Sequence, residues 1–124
     1  MNDYEFRVTV KPAYVPAESD PASSRYVFAY TIVIENVGSQ PARLMRRHWL
    51  ITNGDGEKQE VRGPGVVGRQ PRLVSGERFR YTSAAVLETA VGAMQGHYEF
   101  RADDGTAFRV PIPVFSLAVP NVVH

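Results

Sequence analysis

The chain has no cysteine among its 124 residues, only one tryptophan and three histidines. The absence of cysteine excludes disulfides, thiolate metal sites and thiol catalysis, and it fits a reducing compartment. No apolar run approaches the length of a membrane-spanning helix. The first residues also lack the basic and then apolar pattern of a signal peptide. These absences predict a cytoplasmic protein without a membrane span.

The charges of the chain nearly cancel, because 14 basic residues face 13 acidic ones and leave a net charge of +1. Such a balance gives no general attraction to nucleic acid or to a membrane surface, so we expect no nucleic-acid partner. The length is that of one domain, and no internal repeat is visible. We therefore predict a single domain over residues 1–124.

Alternation of apolar and polar residues dominates the chain and predicts β-strands. Residues 25–36 are apolar on both faces, which predicts a central and largely buried strand. Trp49 lies on the next strand and is expected in the core. Pro111 and Pro113 in the last apolar segment predict an edge strand, because proline cannot donate to the ladder. The fold class is therefore predicted to be all-β: an immunoglobulin-like or fibronectin type III-like sandwich of about seven or more antiparallel strands.

Residues 62–71 form a glycine-rich segment that contains the pattern G-x-G-x-x-G. This pattern indicates a dinucleotide site only where a strand precedes it and a helix begins within it. Pro71 follows the last glycine closely and a strand-like segment comes next, so no helix N-terminus is available for a pyrophosphate. We favour a loop of an all-β domain. The alternative is a nest of backbone N–H groups around Gly63, Gly65 and Gly68 that binds an anion.

Arginines flank this segment and could form charge-assisted hydrogen bonds with a phosphate-containing ligand or a protein partner. The candidate binding residues, beside the three glycines, are Arg47, His48, Arg62, Arg69 and Arg72. On a regular strand Arg47 shares the face of Trp49, whereas Arg46 and His48 lie on the other face. The alternative interpretation is that the glycines serve tight turns and that the cations are solvated.

Catalytic and metal-binding patterns are not recognisable in the sequence. The three histidines, His48, His97 and His124, lack the spacing of a metal-ligand pair, and the aspartates lie in glycine-containing turns where aspartate is common. No serine stands in a G-x-S-x-G elbow, and no Ser/His/Asp set is evident. We therefore predict no metal site, no cofactor and no enzymatic activity.

Several ordered motifs span nearly the whole chain. They are Tyr26–Ile32 with Glu35 and Asn36, Arg47–Thr52, Gly63–Gly68, Gln70 and Pro71, Tyr81–Ser83, Gly92, Met94, Gly96, Tyr98, Gly105, Pro111–Pro113 and Pro120. This series resembles the ApaG family. The resemblance implies a fibronectin type III-like sandwich, an association with cobalt resistance and magnesium efflux, and no established catalytic residue. ApaG-like domains are also appended to eukaryotic F-box proteins and to a polymerase-delta-interacting protein, where they resemble protein-interaction modules.

Two main functional hypotheses follow, with a metal-responsive domain as a third. The first is a non-enzymatic protein-interaction module with an unidentified protein partner at the glycine-rich segment. The alternative is a phosphate- or nucleotide-binding domain that uses residues 63–68. An exposed edge strand would also permit pairing into a homodimer.

Overall fold

The computed structural model describes residues 2–120, which form two antiparallel β-sheets packed into a sandwich. The strands in chain order are β1 (Phe6–Tyr14), β2 (Tyr26–Asn36), β3 (Ala42–Asn53), β4 (Lys58–Pro64), β5 (Arg72–Leu73), β6 (Arg78–Leu87), β7 (Val91–Ala102) and β8 (Ala107–Ala118). Two short 3-10 helices, Pro16–Glu18 and Pro21–Ser23, connect β1 to β2. The described residues contain no α-helix.

One sheet has the strand order β1-β2-β6, and the other has the order β4-β3-β7-β8 with β5 paired to β3. The predicted all-β sandwich is confirmed, with eight antiparallel strands. One hydrophobic cluster joins the two sheets. The ends of the predicted single domain over residues 1–124, including His124, lie outside the described residues.

The core is built from the central strands, as the two apolar faces of residues 25–36 predicted. Phe28 and Ile32 of β2 and Tyr98 of β7 are at most 1% exposed. Trp49 is 2% exposed, so its predicted place in the core is confirmed. Its ring lies edge-on to Tyr30 at a centroid distance of 5.4 Å, a favourable arrangement for two aromatic rings.

Prolines occur on three of the edge strands, β1, β4 and β8. Pro111 and Pro113 lie in β8, at the end of its sheet, as predicted. Strand β1 continues through Pro12 to Tyr14. An edge strand tolerates this proline because only one side of the strand needs to donate to a neighbour.

A bulge in β3 determines which residues of that strand meet the glycine-rich segment. Leu44 pairs with Phe100 and Arg46 pairs with Glu99, so Met45 is an extra residue on β3. Beyond the bulge, Arg47 pairs with the buried Tyr98 and lies on the inner face of the sheet. The bulge therefore turns an arginine toward the interior at the level of the segment.

Candidate functional site

The glycine-rich segment is part strand and part hairpin turn. Strand β4 extends to Pro64, so residues 62–64 pair with β3 and do not belong to a loop. Residues 66–69 then make a two-residue turn, in which Val66 and Arg69 exchange backbone hydrogen bonds of 2.8 and 2.9 Å. The central residues, Val67 and Gly68, have φ values of 44° and 79°. Two successive positive φ values are typical of a type I′ turn.

The side chain of Arg47, on the inner face of the sheet, holds the backbone of this segment in place. Its Nη1 donates hydrogen bonds of 3.0 Å to the carbonyl oxygens of both Pro64 and Gly65. A Cβ on Gly63 would lie only 3.0 to 3.2 Å from the atoms of this guanidinium. Glycine at position 63 therefore makes room for Arg47, and the arginine holds the backbone that follows.

Several backbone donors of the segment are used within the protein. The Gly65 N–H donates to the carbonyl oxygen of the bulged residue Met45 at 2.9 Å, and Gln70 Nε2 donates to the same oxygen at 3.0 Å. The N–H groups of Val66 and Arg69 close the turn. These hydrogen bonds leave fewer amides for an anion nest than the glycine pattern alone suggested.

The other predicted cations lie in different surroundings. The guanidinium carbon of Arg69 is 5.7 Å from the centre of the Phe79 ring, in a cation–π contact. Arg72 Nε donates to Asp103 at 3.0 Å, and this hydrogen bond lowers the pKa of the Asp103 carboxyl. The charge of Arg72 is therefore largely compensated at the surface.

Arg62 and His48 lie on the outer face of the β4-β3-β7-β8 sheet, away from the turn. Both contact Glu60, Arg62 at 3.1 Å and His48 at 3.4 Å. These contacts lower the pKa of the Glu60 carboxyl, with the His48 hydrogen bond as the largest cause. The predicted binding residues thus divide into four sets. They are an inner arginine beneath the segment, a turn with Arg69, Arg72 paired with Asp103, and the outer pair of Arg62 and His48.

Comparison with known proteins identifies the family. The family model for the ApaG domain matches residues 16–102. This match includes the whole glycine-rich segment and all strands from β2 to β7. The chain belongs to the ApaG domain family.

Relatives support this assignment over the full length of the chain. The ApaG proteins of Salmonella arizonae and Salmonella newport are 54% identical over 124 residues, which is 100% of this chain and 99% of each relative. The crystal structure of a Bordetella pertussis protein described as ApaA superposes with a TM-score of 0.95 at 50% identity, covering 98% of both chains. An Archaeoglobus fulgidus protein with 9% identity and a TM-score of 0.54 shares the fold alone.

This ApaG domain also brings together residues that its sequence did not single out. Tyr81 and Tyr98 share a hydrogen bond between their hydroxyls in the core, and burial raises the pKa of both phenols. His97 lies opposite His48, with ring centres 4.9 Å apart. Sequence reasoning missed this pair because it depends on the register of β3 against β7, two strands that are distant in the sequence.

Two kinds of feature are absent from residues 2–120. No helix there has the length and apolar character needed to cross a membrane. In the same range, no group of three or more histidine, cysteine, aspartate or glutamate residues is arranged to hold a metal ion.

The arginine beneath the segment gives a testable expectation. Arg47→Met should lower the free energy of unfolding by about 1 to 3 kcal/mol, because two carbonyl oxygens lose their charged donor. Hydrogen exchange at Gly65 and Arg69 should accelerate in the same variant. The matched control is Arg46→Met, since Arg46 is exposed and meets Glu99 only at 3.8 Å; its stability should stay within about 0.5 kcal/mol of wild type. Equal effects of the two substitutions would contradict the role assigned to Arg47.

Proposed function

We propose that this ApaG domain is a non-enzymatic module that binds a protein partner through the turn at residues 66–69. The observation that carries the proposal is the conformation of Val67. This side chain is 53% exposed at the tip of the turn and has a φ of 44°. A β-branched residue with positive φ is a conformational outlier, and asparagine or glycine would fit the same position with less strain.

An exposed apolar residue with strained backbone geometry makes no evident contribution to the stability of the fold. Strain of this kind is concentrated at functional sites, where the surrounding structure holds it in place. Here Arg47, the Met45 carbonyl and the Val66–Arg69 pair provide that support. The turn also borders a cleft lined by Tyr30, Trp49 and Tyr81. A rigid, exposed apolar tip is the kind of surface that protein interfaces use as an anchor.

The absence of enzymatic activity is part of the proposal. The raised pKa values of Tyr81 and Tyr98 place both phenols far from the neutral range in which a general acid or base works well. Their hydroxyls also hydrogen-bond to each other in the core. The alternative of a nucleotide site at residues 63–68 has less support, because the N–H groups of Gly65, Val66 and Arg69 already have backbone acceptors.

The cellular role would then be indirect. The association of ApaG proteins with cobalt resistance and magnesium efflux would act through the bound partner, since this domain is proposed only to bind. A cytoplasmic location, predicted from the cysteine-free composition, completes the proposal. Homodimerisation stays a prediction that rests on the exposed edge strands.

The substitution Val67→Asn separates binding from folding. Asparagine tolerates positive φ, so the variant should be about 1 kcal/mol more stable than wild type in urea unfolding. It should nevertheless lose the partner, because the exposed methyl groups are gone. Affinity capture from lysate with quantitative mass spectrometry compares the proteins retained by the wild type and the variant.

The control for this experiment is Val114→Asn. Val114 is 65% exposed on the edge strand β8 and has ordinary extended geometry. We expect its partners to match those of wild type. If Val67→Asn retains every protein that wild type and Val114→Asn retain, the turn is not the partner surface.

A further inference from the structure

The outer face of the β4-β3-β7-β8 sheet carries two neighbouring rows of cross-strand partners that are rich in positive charge. In the first row, Arg62 of β4 lies opposite His48 of β3, which lies opposite His97 of β7. In the second row, Arg46 of β3 lies opposite Glu99 of β7, which lies opposite Arg109 of β8. Four strands therefore bring these side chains to one shallow cleft.

The carboxylates near this cleft do not balance the cations. Glu60 is shared by His48 and Arg62, at 3.4 and 3.1 Å. Glu99 is shared by Arg46 and Arg109, at 3.8 and 3.9 Å. Three arginines and two histidines thus face two carboxylates. The long contacts to Glu99 leave exposed guanidinium donors that can turn toward a ligand.

Burial and neighbouring positive charges both disfavour protonation of His97. Its pKa is lowered first by burial, then by the charge of Arg109, by His48 and by Arg62, while Glu99 acts in the opposite direction. An added proton is therefore repelled from the cleft. A bound anion would relieve this repulsion, so anion binding and protonation of the histidine must assist each other.

We propose that this cleft, between Arg62, His48, His97 and Arg109, binds a phosphoryl group or a similar tetrahedral oxyanion. Its volume of about 210 Å³ is below the roughly 300 to 1,000 Å³ of sites for larger organic ligands. A volume of this size accommodates a single oxyanion group. This site lies outside the turn at residues 66–69, and it does not depend on the function proposed for that turn.

Sulfate is a suitable first probe, because its charge stays constant across the pH range in which histidine titrates. Titration of the isotope-labelled full chain with sulfate at constant ionic strength, followed by NMR, should shift the signals of His48, Arg62, His97 and Arg109 in a saturable way. Binding should be about fivefold tighter near pH 5 than near pH 8, because protonation of His97, whose pKa lies below its usual value, adds positive charge. Linkage requires that sulfate raise the pKa of His97.

Two variants test the location of the site. Arg109→Ala should weaken sulfate binding about tenfold, since it removes a charged donor that is 71% exposed and not part of the core. Arg80→Ala is the control: this exposed arginine lies on β6 of the other sheet, and its loss should leave the affinity unchanged. Val67→Asn should also bind sulfate like wild type, which distinguishes failure of this site from failure of the partner surface.

Two further titrations, with inorganic pyrophosphate and with a phosphoserine peptide, distinguish a free anion from a phosphorylated protein as the source of the oxyanion. Tighter binding of pyrophosphate indicates a free anion, and tighter binding of the peptide indicates a phosphorylated protein. Either result supports the site. Shifts that grow linearly with sulfate and are matched by chloride, or an unchanged affinity in Arg109→Ala, would overturn the proposal.

Discussion

Gly96→Ala should lower the free energy of unfolding by about 3 to 5 kcal/mol, near the upper end of the effects of overpacking. A Cβ at position 96 would lie 1.9 Å from the carbonyl oxygen of His48 and 3.1 Å from the Cα of Trp49. These are backbone atoms of β3, and real Cβ atoms keep more than about 3 Å from such neighbours. The two strands must therefore separate by about an ångström to accept one methyl group.

That separation is difficult because β3 and β7 are the two inner strands of their sheet. Moving one of them away disturbs the Trp49 packing on one face and the His48–His97 pair on the other. Small domains are stable by only about 5 to 15 kcal/mol, so the substitution should remove a large share of the stability. The midpoint of urea unfolding measures this loss directly.

The neighbouring residue supplies the control. Gln95 is exposed on the same strand, and Gln95→Ala should change the stability by no more than about 0.5 kcal/mol. If Gly96→Ala unfolds within about 1 kcal/mol of wild type, then β3 and β7 do not approach as closely in solution as described above. The close approach also matters for the proposed oxyanion site, because it brings the two histidine rings together.

The parts of this fold that sequence predicted are those encoded by local pattern. The central strand β2 has apolar residues on both faces, and the prolines of β8 indicate an edge strand. Both signals depend on residues within one segment. The turn chemistry of the glycines is local as well, since positive φ is a property of a single residue.

The parts that sequence did not predict depend on the register between distant strands. Val114 lies two residues beyond the buried Ile112 and would share its face on a regular strand, yet Val114 is 65% exposed. A register irregularity opposite Gln95 reverses the alternation of β8, so that Leu117 is buried instead. The contact of Arg47 with Gly63 and the pairing of His48 with His97 arise in the same way, from cross-strand neighbours that no local pattern identifies.

The glycine-rich segment depends both on local backbone geometry and on contacts between distant residues, because its three glycines are required for three different reasons. Gly63 makes room for the Arg47 guanidinium. Gly68 has positive φ, but a Cβ there would meet no atom within 4 Å. Gly65 has positive φ and would also place a Cβ 2.2 Å from the carbonyl oxygen of Arg69. The G-x-G-x-x-G pattern therefore has a structural origin that does not require a bound nucleotide.

Gly65 and Gly68 consequently form a matched pair for the last prediction. Gly68→Ala should lower the free energy of unfolding by about 1 kcal/mol, the usual penalty for alanine with left-handed backbone geometry. Gly65→Ala should lower it by at least about 3 kcal/mol, because the steric conflict with the Arg69 carbonyl adds to the same penalty. Urea unfolding of both variants measures the difference, which isolates the contribution of the close contact.

The same pair tests whether the segment is one cooperative unit. Relief of the Gly65→Ala conflict requires the Arg69 carbonyl to move, and that carbonyl accepts the hydrogen bond from the Val66 N–H. Because Val66 is fully buried, its displacement should disturb the core as well as the turn. We therefore expect Gly65→Ala to shift the NMR signals of Trp49 and Tyr81, which line the cleft beside the turn, whereas Gly68→Ala should not. Equal stabilities of the two variants, or NMR shifts confined to the turn in both, would show that the segment deforms independently of the core. The core would then not be what holds Val67 in its strained conformation.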